Sequence, residues 1–304
     1  MQSGLVPHAV RQLTAPLANS PATGLTLGDG VWWPSGAKLA LDFAGGRYMA
    51  GGTRYTAFAD VPDSSVTRST KAWGLTLGDI PMEADIDEAL IVPSRGLLTE
   101  PPATRLNPQD LAGPLFGTGS STTVTPTQTV LPDGSVGTAY RVQMPAGPQT
   151  FLVVAPAAVS GIHNIQVWAR AAGDGSNPNF ALGAGSTPVV FTSTESWDLY
   201  DLEQMANDMT PTINNRFDTF ATDVLFVWPD VQQGPLASPI LAPGMTASRA
   251  AAVVELSNID AHWGMSPDHT FNVTYEDDTT AALSAVGGAL TIPVSTKAYR
   301  SIFG

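Results

Sequence analysis

Cysteine is absent from the 304 residues, which excludes a disulfide framework, a thiol nucleophile and any thiolate metal site. Charged residues make up only 13% of the chain, too few to solvate long surface helices. The four histidines, His8, His163, His262 and His269, stand apart and lack the paired spacing of a zinc protease or of a G-x-S-x-G partner. No Gly-rich loop lies between a strand and a helix, so nucleotide chemistry has no support. Nowhere do about 18 apolar residues run together, and Met1 to Arg11 holds no signal-peptide core. These absences predict a chain made in a cytoplasm without a membrane span. No motif singles out the carboxylate pair a glycoside hydrolase would need, and no repeat period of a long β-helix is visible; a non-enzymatic protein is expected.

What is plentiful is turn-forming residue, with 29 Gly and 25 Pro, punctuating short β-branched and aromatic runs. That pattern predicts an all-β chain. Pro7, Pro16 and Pro21 among small residues mark 1–23 as an extended arm with no core of its own. Residues 24–107 read as a β-hairpin module, with runs Leu39 to Phe43, Arg47 to Met49 and Arg54 to Phe58 split by Gly45-Gly46 and Gly51-Gly52. The run Met82 to Glu88 is the best helical candidate in this part, for a single turn. Gly24 to Asp29 recurs as Gly74 to Asp79, a short strand closed by a Gly-Asp turn. Residues 108–249 carry strands at the spacing of a β-sandwich, and 250–304 read as a small C-terminal β domain, a meander through Thr270 to Tyr275, Ala281 to Ala285 and Ala289 to Val294. A domain of that size needs a docking partner.

The net charge of −13 is concentrated: residues 171–278 hold 15 acidic and 2 basic residues, a difference that accounts for the whole excess. Such a surface repels phosphate backbones and anionic headgroups, so nucleic acid and membrane are poor partners there and neutral sugar or a divalent cation fits better. On the predicted strand through Ile165, Val167 and Ala169 the opposite face carries Gln166, Trp168 and Arg170, an aromatic beside a cation. Sugar binding needs flat apolar surface with hydroxyl-bonding groups alongside. Trp197, Tyr200, Trp168 and Trp228 supply the rings, and Arg170, Asn177, Asn179, Asn214, Asn215 and Arg216 the polar groups. Trp228, inside an apolar strand, reads as core. Trp197 and Tyr200 lie among Glu195, Asp198, Asp201 and Glu203, where full burial is costly. Asp198 and Asp201 are also weak candidates for structural Ca²⁺, although the Ca²⁺ loop pattern is absent; no other cofactor is expected. Glu276-Asp277-Asp278 reads as a solvated hairpin turn.

Three stretches, in order, carry a resemblance. Thr67-Arg68-Ser69-Thr70, then Ser94-Arg95-Gly96-Leu97-Leu98-Thr99-Glu100 with Arg105-Leu106-Asn107, is similar to a segment of phage structural proteins in which a Gly-Leu-Leu-x-Glu core precedes a binding sandwich. Val224 to Trp228, Gly234 to Ile240 and Ser248-Arg249-Ala250-Ala251 look like the last strand and exit of a carbohydrate-binding-module-like jelly roll. Asn272 to Pro293 resembles the small β domain that ends such chains. The type named is the fibre or head spike of phages and phage-derived gene transfer agents of α-proteobacteria.

The resemblance implies a fibre on the surface of a virion or gene transfer agent particle, made in the bacterial cytoplasm. It implies adsorption to host capsular or surface polysaccharide and an attachment protein in the spike base, capsid or tail. Because the arm and the small last domain both need partners, a homo-oligomer is expected, a trimer or a pentamer at a vertex. The rival readings are a purely structural spike shaft or capsid decoration, and a polysaccharide depolymerase.

Overall fold

Short apolar stretches alternating with polar residues, cut every few positions by Gly and Pro, cannot sustain a helix and pair instead as antiparallel strands. In the computed structural model this pattern produces, among the described residues, 24 strands, one 3₁₀ turn and one five-residue α-helix, Ile259–Trp263. The structure describes residues 31–76, 80–107, 121–146, 151–154, 158–184, 188–215, 220–234, 238–241 and 247–304. The chain is all-β, as the composition predicts. No helix among the described residues is long and apolar enough to cross a membrane. The 1–23 arm and the first copy of the Gly-Leu-Thr-Leu-Gly-Asp repeat lie outside the described residues.

The chain divides into two units: the described parts of Gln12–Gly78, Met82–Pro102 and Ala250–Gly304 form one, and those of Asp79–Pro81 and Ala103–Arg249 the other. This corrects the expected division into 24–107 and 250–304. In the main sheet of the first unit the order is Thr280–Ser284, Thr270–Tyr275, Tyr299–Phe303, Leu39–Asp42, Arg47–Ala50 and Thr53–Tyr55. The last strand of the chain thus lies beside the first described one, Ala40 opposite Phe303 and Leu41 opposite Ile302. Leu290–Ile292, expected to continue the C-terminal meander, pairs instead with Val253–Leu256, which pairs with Ser64–Thr67. One core holds Leu39, Leu41, Phe43, Tyr48, Val254, Phe271, Leu290 and Ile302 together. A domain of 250–304 alone would leave its half of that core in water.

The expected helical turn at Met82 to Glu88 is instead the strand Pro81–Ala84 followed by a turn. Met82 and Ala84, two apart, face one small cluster with Ala72 and Leu90, the period of a strand. The turn is closed by side chains: Glu88 accepts from Asp85 N at 2.9 Å, and Asp87 from Arg68 N at 2.7 Å.

The second unit is a β-sandwich, as expected for 108–249. One sheet runs in the order Thr123–Val130, Val136–Met144, Thr222–Gln233, Val159–Ala171, Asp198–Met209; the other Phe151–Val153, Pro211–Asn214, Asn179–Ala184, Val189–Thr192. Their inner faces share a core in which Val142, Ile165, Val167, Tyr200, Leu202 and Phe226 meet Phe180, Leu182, Phe191 and Ile213. Both carry the alternation that one buried face requires.

Candidate functional site

The five-stranded sheet positions the site through its curvature. Arg170 and Thr129 both lie on the face away from the core, since Ala169 and Val124 pack inward. Three strand spacings separate their strands in the sheet order, about 14 Å in a flat sheet. Yet Arg170 Nη2 donates to Thr129 Oγ1 at 2.8 Å. The outer face is therefore concave, coiled until its first strand reaches its fourth. Just before the fifth strand, Trp197 completes the rim: its Nε1 donates to Val130 O at 2.7 Å, and the Arg170 guanidinium lies 5.3 Å from its ring centre. Both side chains are half-buried, and Glu195 beside them is exposed. The indole is held at its nitrogen and by a cation at its ring, with surface left over for a ligand.

Tyr200 does not join this site. It is 2% exposed, caged by Phe180 at 5.1 Å and Phe191 at 5.6 Å, and its hydroxyl donates to Thr192 O at 3.1 Å. Burial lifts its phenol pKa well above the ordinary value. Trp168 is likewise corrected: it lies on the outer face, yet it is 1% exposed. Asn214 sits in the other sheet, its Nδ2 donating to Thr212 Oγ1 at 2.9 Å, and is not brought to Trp197. Asn215 is buried and donates to Pro145 O, Asn179 accepts from Thr192 Oγ1, and the Asn177 carbonyl accepts from Asp223 N; none of the three converges on the indole. Arg216 lies outside the described residues.

The Ca²⁺ pair is also corrected. Asp198 stands opposite Ala169, which faces the core, and Asp201 opposite Gln166, which faces away. Three positions apart on a strand, their carboxylates point to opposite faces and cannot share one ion. Asp198 accepts instead from Thr194 Oγ1 at 2.6 Å. No group of three or more metal-ligating side chains occurs among the described residues.

Trp228, expected in the core, is half-buried with φ of 49°. Asp230 opposes Gln166 and Val227 opposes Trp168, so Trp228 and Pro229 together face Val167 as a β-bulge. Pro229 is the signal that sequence reading passed over, since proline inside a central strand marks a bulge. The rim residues Thr129 and Val130 were also missed; they lie in a Thr-rich strand, and nothing local marks them as neighbours of Arg170.

The four arginines of the stretches that carry the resemblance, with Asn107, turn out to be buried fastenings. In the sandwich unit, Arg105 Nε donates to Asn107 O at 2.9 Å and its Nη1 to Ile240 O at 2.6 Å. Asn107 bridges Pro229 O and Val231 N, and Arg249 Nη1 donates to Ser238 O at 2.8 Å. At their centre Asp230 accepts from Ile240 N and from Gln232 Nε2. Burial raises its carboxyl to about 6, against the hydrogen bonds and the two arginines. In the other unit, Arg68 donates to Thr70 O and Asp85 O, both at 2.8 Å. Arg95 Nε meets Glu276 Oε2 at 2.7 Å while its Nη1 bonds Leu75 O. Glu276, expected in solvent, is thereby largely buried, whereas Asp277 and Asp278 pair at the surface with Lys297 and Arg300.

No family model and no curated protein matches the chain. Among solved structures, it is similar to the N-terminal CBM22-1 and GH10 modules of endo-1,4-β-D-xylanase 10B from Clostridium thermocellum, complexed with xylohexaose. That likeness has 12% identity and a TM-score of 0.32, and covers 44% of this chain and 29% of that chain.

Proposed function

We propose that the chain is a non-catalytic polysaccharide-binding protein that receives sugar at the Trp197 rim of its sandwich. The observation that supports this reading is an indole immobilised before any ligand arrives, its nitrogen on Val130 O and its ring beside Arg170, yet half-exposed. A fixed apolar platform stacks on the C–H face of a pyranose without ordering cost. Exposed Glu195, two residues before the indole, and half-exposed Asp201 and Glu203 farther along the strand that follows it make neutral sugars the favoured class. One open site of this size binds weakly, so the protein acts in many copies at high effective concentration. On the resemblance in its motifs, we place those copies on a phage-like or gene transfer agent particle adsorbing to capsule.

The test is a glycan array with the whole chain, followed by Trp197→Ala and Arg170→Ala. Both variants are expected to lose at least tenfold in affinity for the neutral glycan that the parent retains, with melting temperature nearly unchanged and no product released from the glycan. Unaltered affinity in both would move the function elsewhere and favour the structural shaft. Images of particles with and without the protein test its placement.

A further inference from the structure

A second aromatic–cation arrangement lies in the other unit. Across four neighbouring strands the register aligns Phe303, Ala40, Met49 and Arg54 in one row. The core side of these strands is taken by Leu39, Leu41, Tyr48 and Ala50, so this row is on the opposite face. Trp32 and Trp33 lie over it in a cluster with Ala40, Met49 and Phe303. Trp32 is buried, with Phe303 at 6.4 Å and the Arg47 guanidinium at 4.9 Å from its ring. Trp33 meets Trp32 edge-on at 5.5 Å and remains half-buried. The Arg54 guanidinium lies 5.1 Å from its ring centre.

The two arginines differ in what their N–H groups do. Arg47 is paired with Asp42 through Nε and Nη2. Arg54 is exposed, on the terminal strand of the sheet, and forms no ion pair among the described residues. A guanidinium resting on an indole is weakly hydrated, already oriented, and free to present its fork edge-on to an anion. Lys38 is the other cation of residues 31–60 without an ion pair among the described residues, in a chain whose net charge is −13. An oriented arginine without an ion pair takes an anion locally, while a protein of this net charge as a whole repels polyphosphate.

We infer that Trp33 and Arg54 form a binding site for an anionic saccharide, the indole taking the sugar's C–H surface and the guanidinium its acidic group. The site is independent of the neutral-sugar rim at Trp197. The acidic group is a carboxylate or a sulfate, both of which match the arginine fork.

The experiment is affinity electrophoresis of the full chain in gels containing polygalacturonate, its fully methyl-esterified form, dextran sulfate or single-stranded DNA. Retardation is expected with polygalacturonate, dextran sulfate or both, which identifies the acid group, and not with the neutral ester or DNA. Arg54→Gln, a surface change that leaves folding intact, is expected to weaken retardation at least tenfold. Trp33→Ala acts in the same direction, and Trp197→Ala leaves retardation unchanged. No retardation by either acidic polymer, equal retardation by the methyl ester or DNA, or indifference to Arg54→Gln would overturn the assignment. Loss on Trp197→Ala instead would assign anion binding to the rim and overturn the second site.

Discussion

Replacing Tyr200 by alanine tests whether the sandwich core has been read correctly, and it separates the two aromatics that the acidic segment places side by side. The ring is 2% exposed and is held edge-on by Phe180 and Phe191. Truncating a buried aromatic to alanine costs about 3–5 kcal/mol, the lost transfer energy plus the cavity. At about 2–4 °C per kcal/mol for a unit of this size, the sandwich transition should fall by roughly 6–20 °C. Tyr200→Phe keeps the ring and removes only the hydroxyl on Thr192 O, so about 0.5–1.5 kcal/mol is expected. Trp197→Ala, truncating a half-buried ring, should move the transition little while abolishing sugar binding. Calorimetry on the three variants measures all of this. A Tyr200→Ala transition within 1 °C of the parent would refute the packing argument.

Gly96 has φ of 129°, and a Cβ there would lie 2.1 Å from Tyr299 O; Gly96→Ala should therefore yield insoluble or unfolded protein, and a soluble variant with parent-like melting would contradict the close approach. Arg95 and Glu276 are nearly buried, so either single truncation to alanine should cost about 3–5 kcal/mol, and joint replacement by apolar residues much less; denaturant unfolding that finds the costs additive would reject the coupling. Acid stability depends on two groups of opposite sign. Burial lowers the His163 pKa, so the unfolded chain takes up that proton first and stability falls as pH drops below about 6.5. Asp230, raised to about 6, binds its proton more tightly when folded, so its contribution grows as pH falls from about 6 towards 4 and offsets the histidine. Asp230→Asn should thus steepen the loss of stability on acidification, and an unchanged slope in urea unfolding between pH 7 and 5 would exclude the offset.

Much of this fold was legible locally. Ile165, Val167 and Ala169 alternate with Gln166, Trp168 and Arg170, and that period alone separated the core face from the other face. The same period in Tyr200-Asp201-Leu202-Glu203 already groups Tyr200 with Leu202, both in the core. Counting nearby carboxylates, of which Asp201 and Glu203 turn to the other face, obscured it. Proline at 229 likewise announced the bulge that displaces Trp228 from the core.

What no local pattern contained is the meeting of distant segments. The pairing of Leu39–Asp42 with Tyr299–Phe303 merges two expected modules into one, and it depends on complementary apolar faces separated by most of the chain. The Trp197 rim follows from the coiling of one sheet, which brings Thr129 to Arg170 across three strands. Alternation within a strand is dictated by neighbouring residues through backbone geometry, and so it can be read from a sequence. Register between distant strands and the curvature of a sheet are settled only when all its faces are packed at once, and those two decided which aromatic surface was left exposed.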